Sequence, residues 1–298
     1  MDNSLENAAI KPEKASLLPQ VLAGLKGAPY IPLFIIVVFV LCAILANVIT
    51  TQDAYSVQLP NRLIPPFWQE GGSLNHLLGT DPLGRDILTR IIFGARVSVI
   101  IAITALTIGG GFGTLVGLTA GFYGGKIDTL LMRFADITLA FPLILFAILL
   151  VMVLGPSMIN VIIAISLVLW ARYARVIRGE VLGLMQRDFI ARAKVSGASD
   201  WRIMMRHLLP NVMPTLIVLL TLQVGWVIIV EASLSFLGAG IPPPTPAWGS
   251  MLADGREYVS TAWWVTTIPG IAIMLVVLAF NLAGDWLRER LDPKQRGI

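Results

Sequence analysis

Six apolar runs, each near the length of a bilayer crossing, alternate with polar segments along this 298-residue chain. They lie at roughly 31–50, 92–120, 131–154, 158–177, 211–237 and 263–285. A helix rises 1.5 Å per residue, so about 20 apolar residues bridge the hydrocarbon core. The pattern predicts about six transmembrane helices, an all-α membrane protein and both termini on one side. The first run has no clear small-x-small cleavage site after it, so it reads as a retained helix rather than a signal peptide. The implied organisation is a polar tail over 1–28, a first helix with a polar insert over 29–90, a helical core over 91–287 and a tail over 288–298. Within the core, residues 171–210 form a long basic loop.

Composition agrees with that pattern. Hydrophobic residues make up 56% of the chain and charged residues 13%. A soluble domain carries about 25% charged residues, so this chain cannot cover a water-facing surface and the lipid bilayer must be its solvent. The net charge of +4 does not point to nucleic acid, because the basic residues sort by membrane side. Placing the N-terminal tail, 122–134, 171–210 and 286–298 in the cytoplasm puts 17 of the 22 Lys and Arg there. The other side keeps Arg62, Arg85, Arg90, Arg96 and Arg256. Cationic excess marks the cytoplasmic face, so both termini are expected on the cytoplasmic side of the membrane. The single Cys42 excludes an intrachain disulfide.

Two segments are expected outside. Residues 51–90 carry Pro60, Pro65, Pro66, Gly71, Gly72 and Asp81-Pro82. Residues 238–262 carry Gly-Ala-Gly-Ile-Pro-Pro-Pro-Thr-Pro, too stiff and too poor in amide donors for a helix. Trp263 and Trp264 follow at the start of the last span, where amphipathic rings suit a membrane interface.

The loop at 171–210 holds eight Lys and Arg against Glu180, Asp188 and Asp200. Connections between helices are usually short, so a basic stretch of this length with its own helical pattern argues for a docking surface. Its centre is Asp188, Phe189, Ala191, Arg192, Ala193, Gly197, Ala198 and Ser199. The small alanines keep the helix surface low. Gly197 can take a positive φ and stop the helix. Ser199-Asp200 suits the start of the next one, through a side-chain cap and negative charge at the positive dipole end. Ile203, Met204, His207 and Leu208 give that second helix a stripe, and Pro210 is expected to end it. The plainer reading is a surface hairpin that only connects two spans.

Gly109, Gly113, Gly117 and Gly121 recur every four residues. That spacing stacks them on one helix face, where another backbone can come close. Asp136, Gln223 and Glu231 are polar groups inside or at the ends of spans, and an ionisable group there is a functional candidate. Asp136 lies near Arg133 and is expected to form a structural pair. Glu231 and Gln223 are candidates to line a translocation path, with interhelical hydrogen bonding as the alternative. No catalytic constellation is present. Gly124-Gly125-Lys126 is followed by Ile127, so no phosphate-binding loop exists and this chain is not expected to bind ATP. His76 and His207 fall on opposite sides and cannot share a metal.

Several longer matches then become specific. Leu78-Gly79-Thr80-Asp81-Pro82-Leu83-Gly84-Arg85-Asp86, Gly94-Ala95-Arg96-Val97-Ser98, Met132-Arg133-Phe134-Ala135-Asp136, Ser233-Leu234-Ser235-Phe236-Leu237-Gly238 and Phe280-Asn281-Leu282-Ala283-Gly284-Asp285 resemble the dipeptide/oligopeptide/nickel branch of ABC importer permeases. The resemblance covers nearly the whole chain from the first helix. It is nearest to the second, C-type permease of the dipeptide and glutathione systems. In that family's cytoplasmic loop the name-giving Glu corresponds to Ala191 here and the following Ala to Arg192, while the loop glycine is kept as Gly197. The resemblance implies a type I importer permease fold with coupling helices and a non-enzymatic pore subunit. It also implies a heterodimer with a second permease subunit, two cytoplasmic ATPase subunits carrying ATP and Mg, and an extracytoplasmic solute-binding protein. It implies no cofactor or metal on this chain. Dipeptide, oligopeptide, glutathione and nickel systems share this scaffold. A self-sufficient secondary transporter is the rival from another class; it would need ion sites near the midplane and often shows repeated halves, neither of which is evident.

Overall fold

A computed structural model describes residues 27–291. The tail at 1–26 and residues 292–298 lie outside the described residues. The described chain is all-helical apart from one isolated bridge between Thr80 and Asp86. Its main elements are α1 (Tyr30–Ile49), α2 (Ile87–Tyr123), α3 (Gly125–Ala140), α4 (Leu143–Leu154), α5 (Met158–Leu184), α6 (Asp188–Val195), α7 (Asp200–Phe236), α8 (Trp248–Gly255) and α9 (Trp264–Leu291).

Five of these helices are long and apolar enough to cross a membrane. They differ in how deeply they sit. In the most apolar stretch of α2 and of α5 half the residues are buried, against 22% in α1 and α9. Thus α2 and α5 form the centre and α1 and α9 the flanks. Outward residues such as Ile31, Val48 and Val153 are three-quarters or more exposed. Apolar side chains facing outward along several helices are what lipid as solvent requires.

The glycine row decides how the centre packs. A β-carbon on Gly109 would stand 2.8 Å from the Ser166 carbonyl, one on Gly117 2.6 Å from that of Ala174, and one on Gly121 2.7 Å from a Val181 methyl. Gly113 meets Trp170 and Tyr173. Each step of four along α2 is met by a step of about four along α5. The two helices are therefore parallel, with backbones in near contact. Parallel neighbours need a crossing between them, and α3 with α4 provides it.

That crossing departs from the straight helix expected over 131–154. α3 and α4 meet at 91°. Phe141 is extended at the joint, just before Pro142. Proline disfavours the helical conformation of the residue before it, which turns the chain here. α3 is tied to α5 by a bidentate pair between Asp128 and Arg178, at 2.5 and 2.6 Å. Asp136 pairs with Arg175 rather than with the nearby Arg133, because the fold brings the α5 guanidinium alongside.

Two more expectations change. Pro210 does not end its helix; α7 runs unbroken from Asp200 to Phe236. A widened turn over Ile203–Leu208 precedes the proline, and the Leu209 amide reaches back five residues to the Met204 carbonyl. A proline in the first turn after such a bulge loses little, since the ladder has already shifted. Also, 238–262 is not wholly irregular. The loop ends at Pro246, and amide donors from Ala247 onward allow α8. Trp264 is 6% exposed rather than at a lipid interface, and its indole N–H donates to the Thr80 carbonyl at 3.2 Å.

The insert and α8 close the end of the bundle opposite the α5–α7 connection. Asp81 accepts the Leu83 and Arg85 amides at 2.8 and 2.9 Å and the Arg85 Nε at 2.6 Å. Arg90 lies 3.1 Å from Asp81, and Arg85 reaches Asp254 of α8 at 3.1 Å. Asp81, Arg85 and Arg90 are all buried. Two cations between two carboxylates offset the desolvation that either charge alone would suffer. His76 Nδ1 lies 3.1 Å from Asp86, which also caps α2 by accepting the Thr89 amide at 2.8 Å. This network was not anticipated from the sequence; its one local signal is Asp81 and Arg85 at i, i+4.

Candidate docking hairpin and buried polar positions

The connection from α5 to α7 is a compact hairpin. α6 stops at Ser196, and Gly197 follows with φ of 72°. The Gly197 amide donates to the Lys194 carbonyl at 3.0 Å and the Ala198 amide to the Ala193 carbonyl at 3.1 Å. This pair of bonds is the Schellman arrangement, which satisfies the last carbonyls of a helix and needs a left-handed residue at the Gly197 position. Ser199 then caps α7 by accepting the Arg202 amide at 3.4 Å. Stop and start signals two residues apart, Gly197 and Ser199, fix the angle between α6 and α7.

One face of the hairpin is anchored. Ile190, Ile203, Met204 and Leu208 are buried with Leu118 of α2, Ile177 and Val181 of α5, and Val212. Phe189, Ala193 and Ala198 are partly buried against the same cluster. The other face is free. Asp188, Ala191, Arg192, Gly197 and Ser199 are exposed. The eight positions singled out from sequence thus divide into an outer five and an inner three. Two outward apolar residues were missed: Val195 is 91% exposed and Trp201 65%. Their signal was an apolar side chain off the buried stripe. Between the two helices lies a hollow of about 500 Å³, lined by Arg192, Ser196, Arg202, Arg206 and His207 among others. A rigid, basic, partly apolar surface stands at the end of the bundle, held directly by the ends of α5 and α7.

Within the bundle, Gln223 and Glu231 are eight residues apart on α7, about 12 Å along its axis, and are 6% and 1% exposed. Ser235 donates its hydroxyl to Glu231 Oε1 at 2.8 Å, and the Ile241 amide approaches the same hydroxyl oxygen at 3.4 Å. The Glu231 carboxylate therefore steadies the loop after α7. Glu231 Oε2 and Gln223 Oε1 have no hydrogen-bond partner among the described residues. Buried polar atoms are ordinarily satisfied, so these two retain unused capacity on one helix.

Comparison with known proteins bears on what such a bundle does. A family described as the binding-protein-dependent transport system inner membrane component matches residues 113–297. The di/tripeptide transport system permease protein of Pseudomonas aeruginosa is 44% identical over 275 residues, 92% of this chain and 90% of that protein. The dipeptide transport system permease protein of Haemophilus influenzae is 43% identical over 264 residues, covering 89% and 90%. The glutathione transport system permease protein of Pectobacterium atrosepticum is 45% identical over 225 residues, covering 76% and 75%. The six-run pattern, the apolar exterior, the hairpin at one end and a family match over more than half of the residues agree: this chain belongs to the inner-membrane components of binding-protein-dependent transport systems, the multi-pass permeases of ABC importers.

Proposed function

We propose that this permease imports short peptides, with an extracytoplasmic binding protein delivering them and ATP hydrolysis on separate cytoplasmic subunits driving the cycle. The feature that carries the reading is the Schellman-stopped hairpin of α6 and the start of α7. Its outer face is basic and its inner face is packed on the transmembrane helices, so a push on it reaches the bundle without slack. The substrate class follows the names of relatives that cover most of the chain. A glutathione system is among them, and glutathione is itself a tripeptide. The assembly would be a heterodimer with a second permease and two ATPase subunits that hold ATP and Mg, this chain holding neither. Both termini and the hairpin would face the cytoplasm, where the basic residues then lie. The insert, the loop after α7 and α8 would face the binding protein.

The cycle is alternating access. Closure of the ATPases draws the hairpins together, and the spans open outward to receive a peptide from the binding protein. Gln223 and Glu231 are the candidate polar groups for that path. The test is to purify the chain with its partner subunits and measure ATP hydrolysis as loaded binding protein is added. Hydrolysis stimulated by a di- or tripeptide-loaded binding protein is expected. Solute movement by this chain alone in vesicles, without any ATPase subunit, would overturn the proposal in favour of a secondary transporter.

A further inference from the structure

The hairpin end of the bundle contains a second feature, one that Gln223 and Glu231 do not line. A cavity of about 430 Å³ opens between α5, α7 and α9. Its volume falls within the range of small-ligand pockets. Two of its walls carry opposite charges: Glu180 from the last turn of α5 and Arg288 from the last turns of α9. α7 contributes Asn211 and Thr215 as polar lining and Val218 and Leu222 as apolar lining.

Glu180 keeps unused capacity among the described residues. Thr215 lies within hydrogen-bonding reach of the Glu180 carboxylate, yet Glu180 Oε2 is buried without a partner among the described residues. A carboxylate whose second oxygen is shielded from water and unpaired is ready to accept from a cationic donor. A guanidinium offers a planar fork that matches a carboxylate. The Asn211 amide and the apolar Val218 and Leu222 complete the lining.

We propose that this cavity binds a short zwitterionic peptide, with Glu180 taking the ammonium end, Arg288 the carboxylate end, and Val218 and Leu222 a side chain. The inference rests on the peptide-import reading above and adds a site to it. The cavity is lined by the hairpin-side ends of α5 and α9, and in this proposal it is where a peptide released from the bundle is held before it leaves. It is also where accumulated peptide on that side can rebind and slow further import.

The experiment uses the complete transporter in nanodiscs, in a background without Cys42, with Leu219→Cys placed on the cavity wall. The rate of maleimide labelling is measured with glycyl-leucine, with its two singly capped forms (N-acetyl and C-amide) and with its N-acetyl amide, which has neither charge. Glycyl-leucine at about ten times its dissociation constant should slow labelling roughly tenfold. The capped peptide should not. Glu180→Gln should abolish the difference between free and acetylated amino ends, and Arg288→Gln the difference between free and amidated carboxyl ends. Unchanged labelling of both variants without peptide reports that the cavity is intact. Equal protection by the capped peptide, protection that survives both substitutions, or no protection at all would overturn the proposal. So would a Leu219→Cys that no reagent reaches in the complex, because the second permease would then fill the cavity. Uptake of glycyl-leucine is followed in parallel. No uptake counts against the peptide reading itself, whereas uptake without protection counts against this site alone.

Discussion

Gly117 and Gly111 differ by six positions on one helix and by everything in their surroundings. A β-carbon at 117 would sit 2.6 Å from the Ala174 carbonyl and 2.9 Å from the Ile177 β-carbon, whereas one at 111 meets nothing within 4 Å. Gly117→Ala is therefore expected to destabilise by about 1–3 kcal/mol through overpacking. Gly111→Ala should be neutral or gain up to about 1 kcal/mol from helix propensity. Denaturant unfolding of the purified protein compares them, and equal effects would refute the close approach of α2 and α5. Glu231 separates two roles by the same kind of contrast. Gln keeps an acceptor for Ser235, so Glu231→Gln should assemble with wild-type stability. Glu231→Leu removes the acceptor and should cost about 1–3 kcal/mol in stability. If uptake falls in the Gln variant while assembly and basal ATP hydrolysis hold, the charge itself serves transport; uptake at the wild-type rate leaves only the brace.

At the scale of elements, the hairpin is the part on which the proposed coupling depends. Proline cannot adopt the 72° φ of Gly197 and has no amide for the Lys194 carbonyl. Gly197→Pro is expected to abolish uptake while leaving membrane insertion intact. Ala191→Trp is the sharper test, because Ala191 is exposed and its enlargement leaves the buried cluster untouched. Loss of copurification with the ATPase subunits is the expected result, and normal uptake in both variants would sink the docking role. Much of this hairpin could be read directly from the chain, since Gly197 and Ser199-Asp200 act on their immediate neighbours. What could not be read was its relation to the core. Ala193 and Ala198 turn inward because α2 and α5 lie beneath them, and no local pattern carries that. The bend between α3 and α4 is similar. Hydropathy reports how apolar a window is and says nothing of direction, so one long run concealed two helices at 91°. Pro142 was the available sign. Pro210 gave the opposite lesson, because a widened turn upstream accommodated a residue that usually stops a helix.

For the whole molecule, sidedness makes the most direct prediction. Leu74 in the insert is 79% exposed and Val195 on the hairpin 91%, and they lie at opposite ends of the bundle. In a background without Cys42, Leu74→Cys and Ser260→Cys should react with an impermeant thiol reagent in intact cells or spheroplasts. Val195→Cys should react only after lysis. The reverse pattern would invert the proposed orientation. The span count was legible because lipid imposes length and apolarity on every crossing. The charge network at the end closed by the insert and α8 was not, because Asp254 reaches Arg85 across 169 positions of sequence.

The parallel pairing of α2 with α5 also constrains how the protein is made. Neighbours that run in opposite directions can close as a hairpin soon after both leave the ribosome. Parallel ones cannot, because the chain must first cross back. The glycine face of α2 thus enters the bilayer before its partner exists, and it must wait through the synthesis of α3 and α4. Its ridge-free surface lacks its fitting partner until Ser166 to Val181 arrive. Closing the centre of this permease is accordingly a late, long-range event in its biogenesis, and a nascent chain cut short before α5 would hold its most closely fitting surface with nothing to fit.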